Sequence, residues 1–130
     1  MEADSSLARF MKESQALTKR AQYTLVYQRG RTWIGSLVVM KALPNGLGLS
    51  RYGFAVTKKV GKEVERNRLK RLLREIMRLQ SIKAGWDIVF IVRREAAIAT
   101  YHQLKEAVTK SLAQAQLLRS NNEAVGSSFD

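Results

Sequence analysis

The sequence predicts an α+β fold: a single-domain α/β sandwich in which helices cover one mainly antiparallel sheet. Three observations carry this. Trp33 to Ala42, Arg51 to Thr57 and Asp87 to Arg93 are short apolar runs with the composition of strands. Segments of helical character alternate with them, at Thr18 to Arg29, at about Glu63 to Gln80 and from Thr100 onward. The chain has 130 residues, 45% of them hydrophobic, which favours one domain with a real core. The predicted order is α-β-β-α-β-α.

The elements justify themselves in turn. Residues 1–16 lack strong periodicity and read as a mobile or weakly helical extension. In the first helix Tyr23, Val26 and Tyr27 share one face, with Thr18 as a plausible N-cap and Gly30 suited to a left-handed C-terminal cap. The Val- and Ile-rich run from Trp33 to Ala42 reads as one strand, and Pro44-Asn45-Gly46 with Gly48 as a turn cluster. The next strand alternates, Phe54 and Val56 on one side, Ala55 and Thr57 on the other. Lys58 to Lys62 leaves it as a basic loop. Ile88-Val89-Phe90-Ile91-Val92 is apolar on both faces and implies a buried central strand. Thr100 and Gln103 form a capping box for the last helix, whose apolar stripe is Leu104, Val108 and Leu112. The domain therefore spans about 17–118, and 119–130 reads as a disordered tail.

Composition excludes several function classes. Without cysteine there is no disulfide scaffold, thiol nucleophile or thiolate metal site. A single histidine, His102, leaves no imidazole pair for a metal, and it reads as an ordinary surface or partly buried residue. No apolar run approaches the ~20 residues of a membrane span. The acidic start, with Glu2 and Asp4, lacks the pattern of a secretory signal, so a cytoplasmic protein is expected. Lys and Arg number 23 against 11 Asp and Glu, a net charge of +12, which is the electrostatic footprint of a nucleic-acid binder.

That charge is concentrated. Residues 51–80 hold ten cations against three carboxylates, a net of +7. At about 100° per residue from Arg66, the residues Leu69, Leu72, Leu73, Ile76 and Leu79 fall between about 220° and 340°. Arg66, Asn67, Lys70, Arg71, Arg74 and Arg78 fall between about 0° and 140°. One face anchors on the sheet and the other is almost purely cationic. Arg71–Glu75 is the i,i+4 ion pair expected within this segment, so internal salt bridges explain little of the charge. Like charges this close repel, whereas a polyanion would neutralise them and release counterions. The apolar face carries Leu and Ile of core type, not the bulky aromatics of a membrane-surface helix.

Val56-Thr57-Lys58-Lys59-Val60-Gly61, followed by Arg66-Asn67-Arg68-Leu69-Lys70-Arg71-Leu72-Leu73-Arg74-Glu75, resembles the signature of the protein subunit of bacterial ribonuclease P. The similarity reaches back to Tyr23, Tyr27 and Gly30 and forward through Asp87 to Arg93 into the last helix. The resemblance implies a left-handed βαβ crossover through the basic helix, against the right-handed rule for parallel crossovers. It implies removal of the 5′ leader from precursor tRNA by a catalytic RNA with Mg²⁺, the protein binding both that RNA and the leader. On this resemblance Arg66, Asn67, Arg68, Lys70, Arg71 and Arg74 contact the catalytic RNA. Tyr23, Tyr27, Ala55, Thr57 and Lys59 line the leader cleft, with Val39 and Lys41 as further members.

Read from the residues alone, Tyr23 and Tyr27 fit either core packing of the first helix or a wet cleft that uses their hydroxyls. Ala55 has no hydroxyl where many relatives carry Ser or Thr, and the acidic N-terminus departs from the basic one common in the family. No catalytic residue and no metal ligand set is expected in the protein, since Glu63, Glu65, Glu75 and Asp87 form no ligand motif. The alternative reading is a ribosomal or ribosome-associated RNA-binding protein with no nuclease role. A basic structural or chaperone-like RNA-binding protein is a third.

Overall fold

A computed structural model describes residues 14–119. The elements are β1 (Ser14–Ala16), α1 (Arg20–Arg29), β2 (Arg31–Ile34), β3 (Val38–Pro44), β4 (Ser50–Ala55), α2 (Glu63–Arg78), β5 (Trp86–Val92), a 3-10 turn (Arg94–Ile98) and α3 (Tyr101–Gln114). The strands form one sheet in the order β1-β4-β5-β3-β2. β5, the doubly apolar run, occupies its centre, as the sequence predicts. The sheet is mixed: β5 pairs antiparallel with β3 and parallel with β4, β2 pairs antiparallel with β3, and β1 pairs parallel with β4.

The pleat sorts the side chains between two layers. Ile88, Phe90 and Val92 of β5 face α2 and α3, joining Met40, Leu69, Leu73, Leu104 and Leu112 in the main core. Val89 faces the other way, against Leu17 and Val26 of the α1 layer, with Ile91 at the margin of that cluster. Phe90 is fully buried and stacks on Phe54, with ring centroids 6.2 Å apart. Removing a fully buried side chain of this size from water contributes about 1.5–3 kcal/mol.

Several local expectations are corrected. The predicted strand Trp33 to Ala42 is two strands joined by Gly35-Ser36-Leu37, closed by Gly35 N–H donating to the Val38 carbonyl at 3.0 Å. Gly35-Ser36 is the local mark of the reversal, outweighed in the sequence reading by the strand-like composition on either side. Residues 14–16, read as part of an extension, form β1, and Leu17 N–H donates to the Tyr52 carbonyl at 2.8 Å. Three residues paired through the backbone leave no side-chain periodicity to read. Arg119, assigned to the tail, donates its N–H to the Ser81 carbonyl at 2.8 Å. The rest of the expected extension and tail lies outside the described residues.

The N-cap of α1 is Lys19, one residue beyond Thr18, because the Gln22 side chain reaches back and accepts from both the Thr18 and Lys19 N–H groups at 3.0 Å. Gly30 is extended, not left-handed; glycine is needed there because a Cβ would collide with the Val26 carbonyl. In α2 Met77 is fully buried while Leu79, at the C-cap, is 58% exposed. The buried stripe therefore runs from Leu72 round to Met77, which puts Arg66 at its edge. In α3 the capping box forms as expected, Thr100 and Gln103 bonding reciprocally at 3.1 and 2.8 Å, and Leu104, Val108 and Leu112 are buried.

Candidate RNA interface

Two surfaces carry the residues singled out by sequence. The first is the outer face of α2. Its Leu stripe seats the helix on the core and turns the positions furthest from that stripe toward solvent. Asn67, Arg71 and Arg74 are exposed. Arg71 and Arg74 have no ion pair among the described residues. Glu75 pairs with Arg78 at 2.6 Å, not with Arg71 as expected: both arginines flank it within a turn, and the carboxylate is taken by its i,i+3 neighbour. Both partners of that pair are largely exposed, so it adds little.

The other motif residues are partly drawn in. Arg66 is half-buried and its Nε has no hydrogen-bond partner. Arg68 Nη2 donates to the Ala99 carbonyl at 3.4 Å, tying α2 to the start of α3. Lys70 is half-buried. The motif thus divides between a free anion-facing set and a set that also braces the fold.

The second surface is the sheet face under α1. Val26 anchors the helix there. Tyr23 lies over β4 at Gly53, where a Cβ would overlap the tyrosine hydroxyl. Burial pushes the Tyr23 phenol up in pKa, and a hydrogen bond from the Phe54 backbone works against it. Tyr27 is 40% exposed, its pKa also raised by burial and then by Tyr23. The two rings are 6.4 Å apart and tilted by 51°, so they are a contacting pair and not one flat platform.

Strand register completes this face. Ala55 pairs with Ile91, Ile91 with Val39, and Val39 with Ile34, which makes an apolar row straight across the sheet. The next row is Gly53, Val89, Lys41 and Thr32, in which Lys41 Nζ donates to Thr32 Oγ1 at 2.8 Å. Gly53 and Val89 are buried under α1, while Ala55, Ile91 and Val39 are half-buried and Ile34 is 75% exposed. An open groove therefore runs beside α1. Thr57 and Lys59 follow β4 on an exposed turn, where Val60 N–H donates to the Thr57 carbonyl at 3.0 Å and the Val60 side chain is buried. Ile34 and Ile91 escaped the sequence reading, because only register reveals that they join Ala55 and Val39 in one row.

Asp87 is engaged within the fold, as Glu75 is with Arg78. Asp87 accepts from Arg51 Nε at 2.8 Å and Nη2 at 2.7 Å, and from Asn45 Nδ2 at 2.8 Å. The hydrogen bond to Asp87 holds the Arg51 guanidinium further up than usual. His102 is exposed and meets Tyr101 edge-on at 5.7 Å. No three His, Asp or Glu side chains come together among the described residues.

A groove of small and apolar residues, an aromatic at its wall and a cationic helix face together suit single-stranded nucleic acid. The Ribonuclease P family model matches residues 11–116. This chain belongs to the ribonuclease P protein family. The ribonuclease P protein component of Dehalococcoides mccartyi strain 195 is 51% identical over 120 residues, 92% of this chain and 100% of that protein. That of Caldanaerobacter subterraneus is 43% identical over 103 residues, 78% of this chain and 89% of that protein. Among solved structures, the RNase P protein of Staphylococcus aureus superposes with a TM-score of 0.69 at 25% identity, covering 80% of this chain and 97% of that one. The Thermotoga maritima RNase P protein gives 0.68 at 31% identity, covering 73% and 92%. As a ribonuclease P protein, the chain combines the cationic α2 with the α1 groove in one fold, and the ribosomal reading is set aside.

Proposed function

We propose that this chain, the protein component of the ribonuclease P ribonucleoprotein, binds catalytic RNA with the outer face of α2 and the 5′ leader of precursor tRNA in the α1 groove. The observation that carries the reading is the pairing of an unneutralised cationic face on α2 with an open groove beside Tyr27. Arg71, Arg74 and Asn67 meet RNA phosphates directly, and Arg66, Arg68 and Lys70 add charge from the margin. Tyr27 stacks a leader base, Tyr23 holds the groove wall, and Ala55, Thr57, Lys59, Val39 and Lys41 line the path. The row Ala55, Ile91 and Val39 is only half-buried, which leaves part of the sheet open to an extended strand.

On this reading the chemistry is carried by the RNA, and the Mg²⁺ it would need is bound mainly by the RNA and the substrate. The protein supplies binding and orientation. The same reading places it in the cytoplasm with precursor tRNA. Reconstitution tests it: the protein, a ribonuclease P RNA transcript and precursor tRNA are mixed at low Mg²⁺. Multiple-turnover removal of the leader is expected with protein present, and none from the protein alone at any Mg²⁺ concentration. Cleavage by the protein alone would overturn the reading.

A further inference from the structure

Nothing in the apolar pattern of β5 says how it should align with its neighbours. Ile88 to Val92 is apolar on both faces, and hydrophobic pattern fixes a strand's register only where polar and apolar positions alternate. A slip of two residues would still place apolar side chains on both faces. The one charged residue of the strand is Asp87, and it is buried. Arg51, its register partner in the parallel β4, closes a two-bond fork on the carboxylate, Nε at 2.8 Å and Nη2 at 2.7 Å. Asn45, just past the end of β3, donates Nδ2 to the same carboxylate at 2.8 Å. Asn45 is itself fixed, its Oδ1 accepting from the Leu47 N–H at 2.8 Å. Asp87 is thus held from the side of β4 and from the side of β3. It lies on the sheet face that carries the groove: Arg51, Gly53 and Ala55 alternate along β4 opposite Asp87, Val89 and Ile91 of β5.

We propose that the Asp87 carboxylate, held by Arg51 and Asn45, sets the register of β5 and thereby positions the leader groove. A carboxylate that takes a guanidinium fork from one side and an amide from the other has one place on the sheet, whereas an apolar run has several. A slip of two residues between β4 and β5 would offset Ala55 from Ile91 by about 7 Å and break the row on which the leader lies. Arg51 and Asp87 are then positioning residues, acting through the row four residues further along and not by touching RNA. Buried ion pairs add little net stability over apolar side chains of similar size, so a pair that served stability alone could be replaced without loss of function. The inference rests on the reading of the α1 groove as the leader site.

Two measurements on the full chain carrying Arg51→Met with Asp87→Leu test it. The first is the preference of the reconstituted ribonucleoprotein for precursor over mature tRNA. It is expected to fall about tenfold, the contribution of one stacked base, while the melting temperature stays level or rises. The second reads register directly. The chain has no cysteine, so Ala55→Cys with Ile91→Cys adds a single pair of thiols. They can form a disulfide only while the two strands keep these residues opposite each other. Most of the disulfide formed beside Arg51 and Asp87 is expected to be lost beside the apolar pair. Should the apolar pair not fold, Arg51→Lys keeps the charge but gives up the fork, and both effects are expected in smaller measure. An unchanged disulfide overturns the proposal, and so does an unchanged preference where Tyr27→Ala lowers it. If Tyr27→Ala also leaves the preference intact, the groove reading falls, and the disulfide alone decides whether the pair sets the register.

Discussion

Tyr23 and Tyr27 stand one turn apart on one helix, yet the fold uses them differently. Tyr23 presses its hydroxyl over Gly53, and Tyr27 keeps 40% of its surface open. Tyr27→Ala should therefore weaken binding of precursor tRNA by about 1–3 kcal/mol and spare mature tRNA, which has no leader to stack. Tyr23→Ala should lower the melting temperature and weaken both ligands together. Affinities for the two tRNAs, with a thermal melt for each variant, separate these outcomes; equal loss for Tyr27→Ala would return it to the core. Gly53 gives a second check on the same contact. Gly53→Ala must displace the Tyr23 ring, at about 1–3 kcal/mol of overpacking, read as a lower urea midpoint. An unchanged midpoint would mean that Tyr23 moves freely.

At the scale of the element, α2 is an amphipathic helix whose two faces do separate work. Arg71 and Arg74 touch nothing that the fold needs, so Arg71→Gln and Arg74→Gln should each lower the salt slope of RNA binding by about 0.7–0.9 and leave stability unchanged. Arg68→Gln should also lower the melting temperature, since Arg68 bonds the Ala99 carbonyl at the start of α3. Equal melting temperatures for all three variants would remove the bracing role from Arg68. On the opposite face Leu73 is fully buried, and Leu73→Ala should cost about 2–5 kcal/mol. The half-buried Arg66 is a poor probe of charge alone, because its Nε is enclosed beside the buried stripe.

For the whole molecule, everything leans on β5. Its alternate residues serve both layers, so Phe90→Ala opens a cavity between the sheet and α2 and should cost about 3–5 kcal/mol, with RNA binding and groove lost in one transition. Separate transitions for the two surfaces, followed by Trp fluorescence and RNA affinity in urea, would show that the layers are independent. The centrality of β5 was legible in advance, because Ile88 to Val92 has no polar face to give to water. So were the cationic face of α2 and the capped stripe of α3, since helical periodicity is local and repeats every few residues. Local chemistry on its own thus determined that the chain is α+β, that one helix carries a dense cationic face, and which motif carries the family. Only the tertiary structure decided the rest. Pairing of β1 runs through backbone groups and shows in no side-chain pattern, and the reversal after Ile34 is marked only by Gly35-Ser36 inside a strand-like run. The row Ala55, Ile91, Val39, Ile34 joins residues from four strands, and register between distant segments is set by contacts across the sheet, not by any one segment. The same holds for Tyr23 against Tyr27: a helix face says which residues point together, and only the surface it settles on says what they touch.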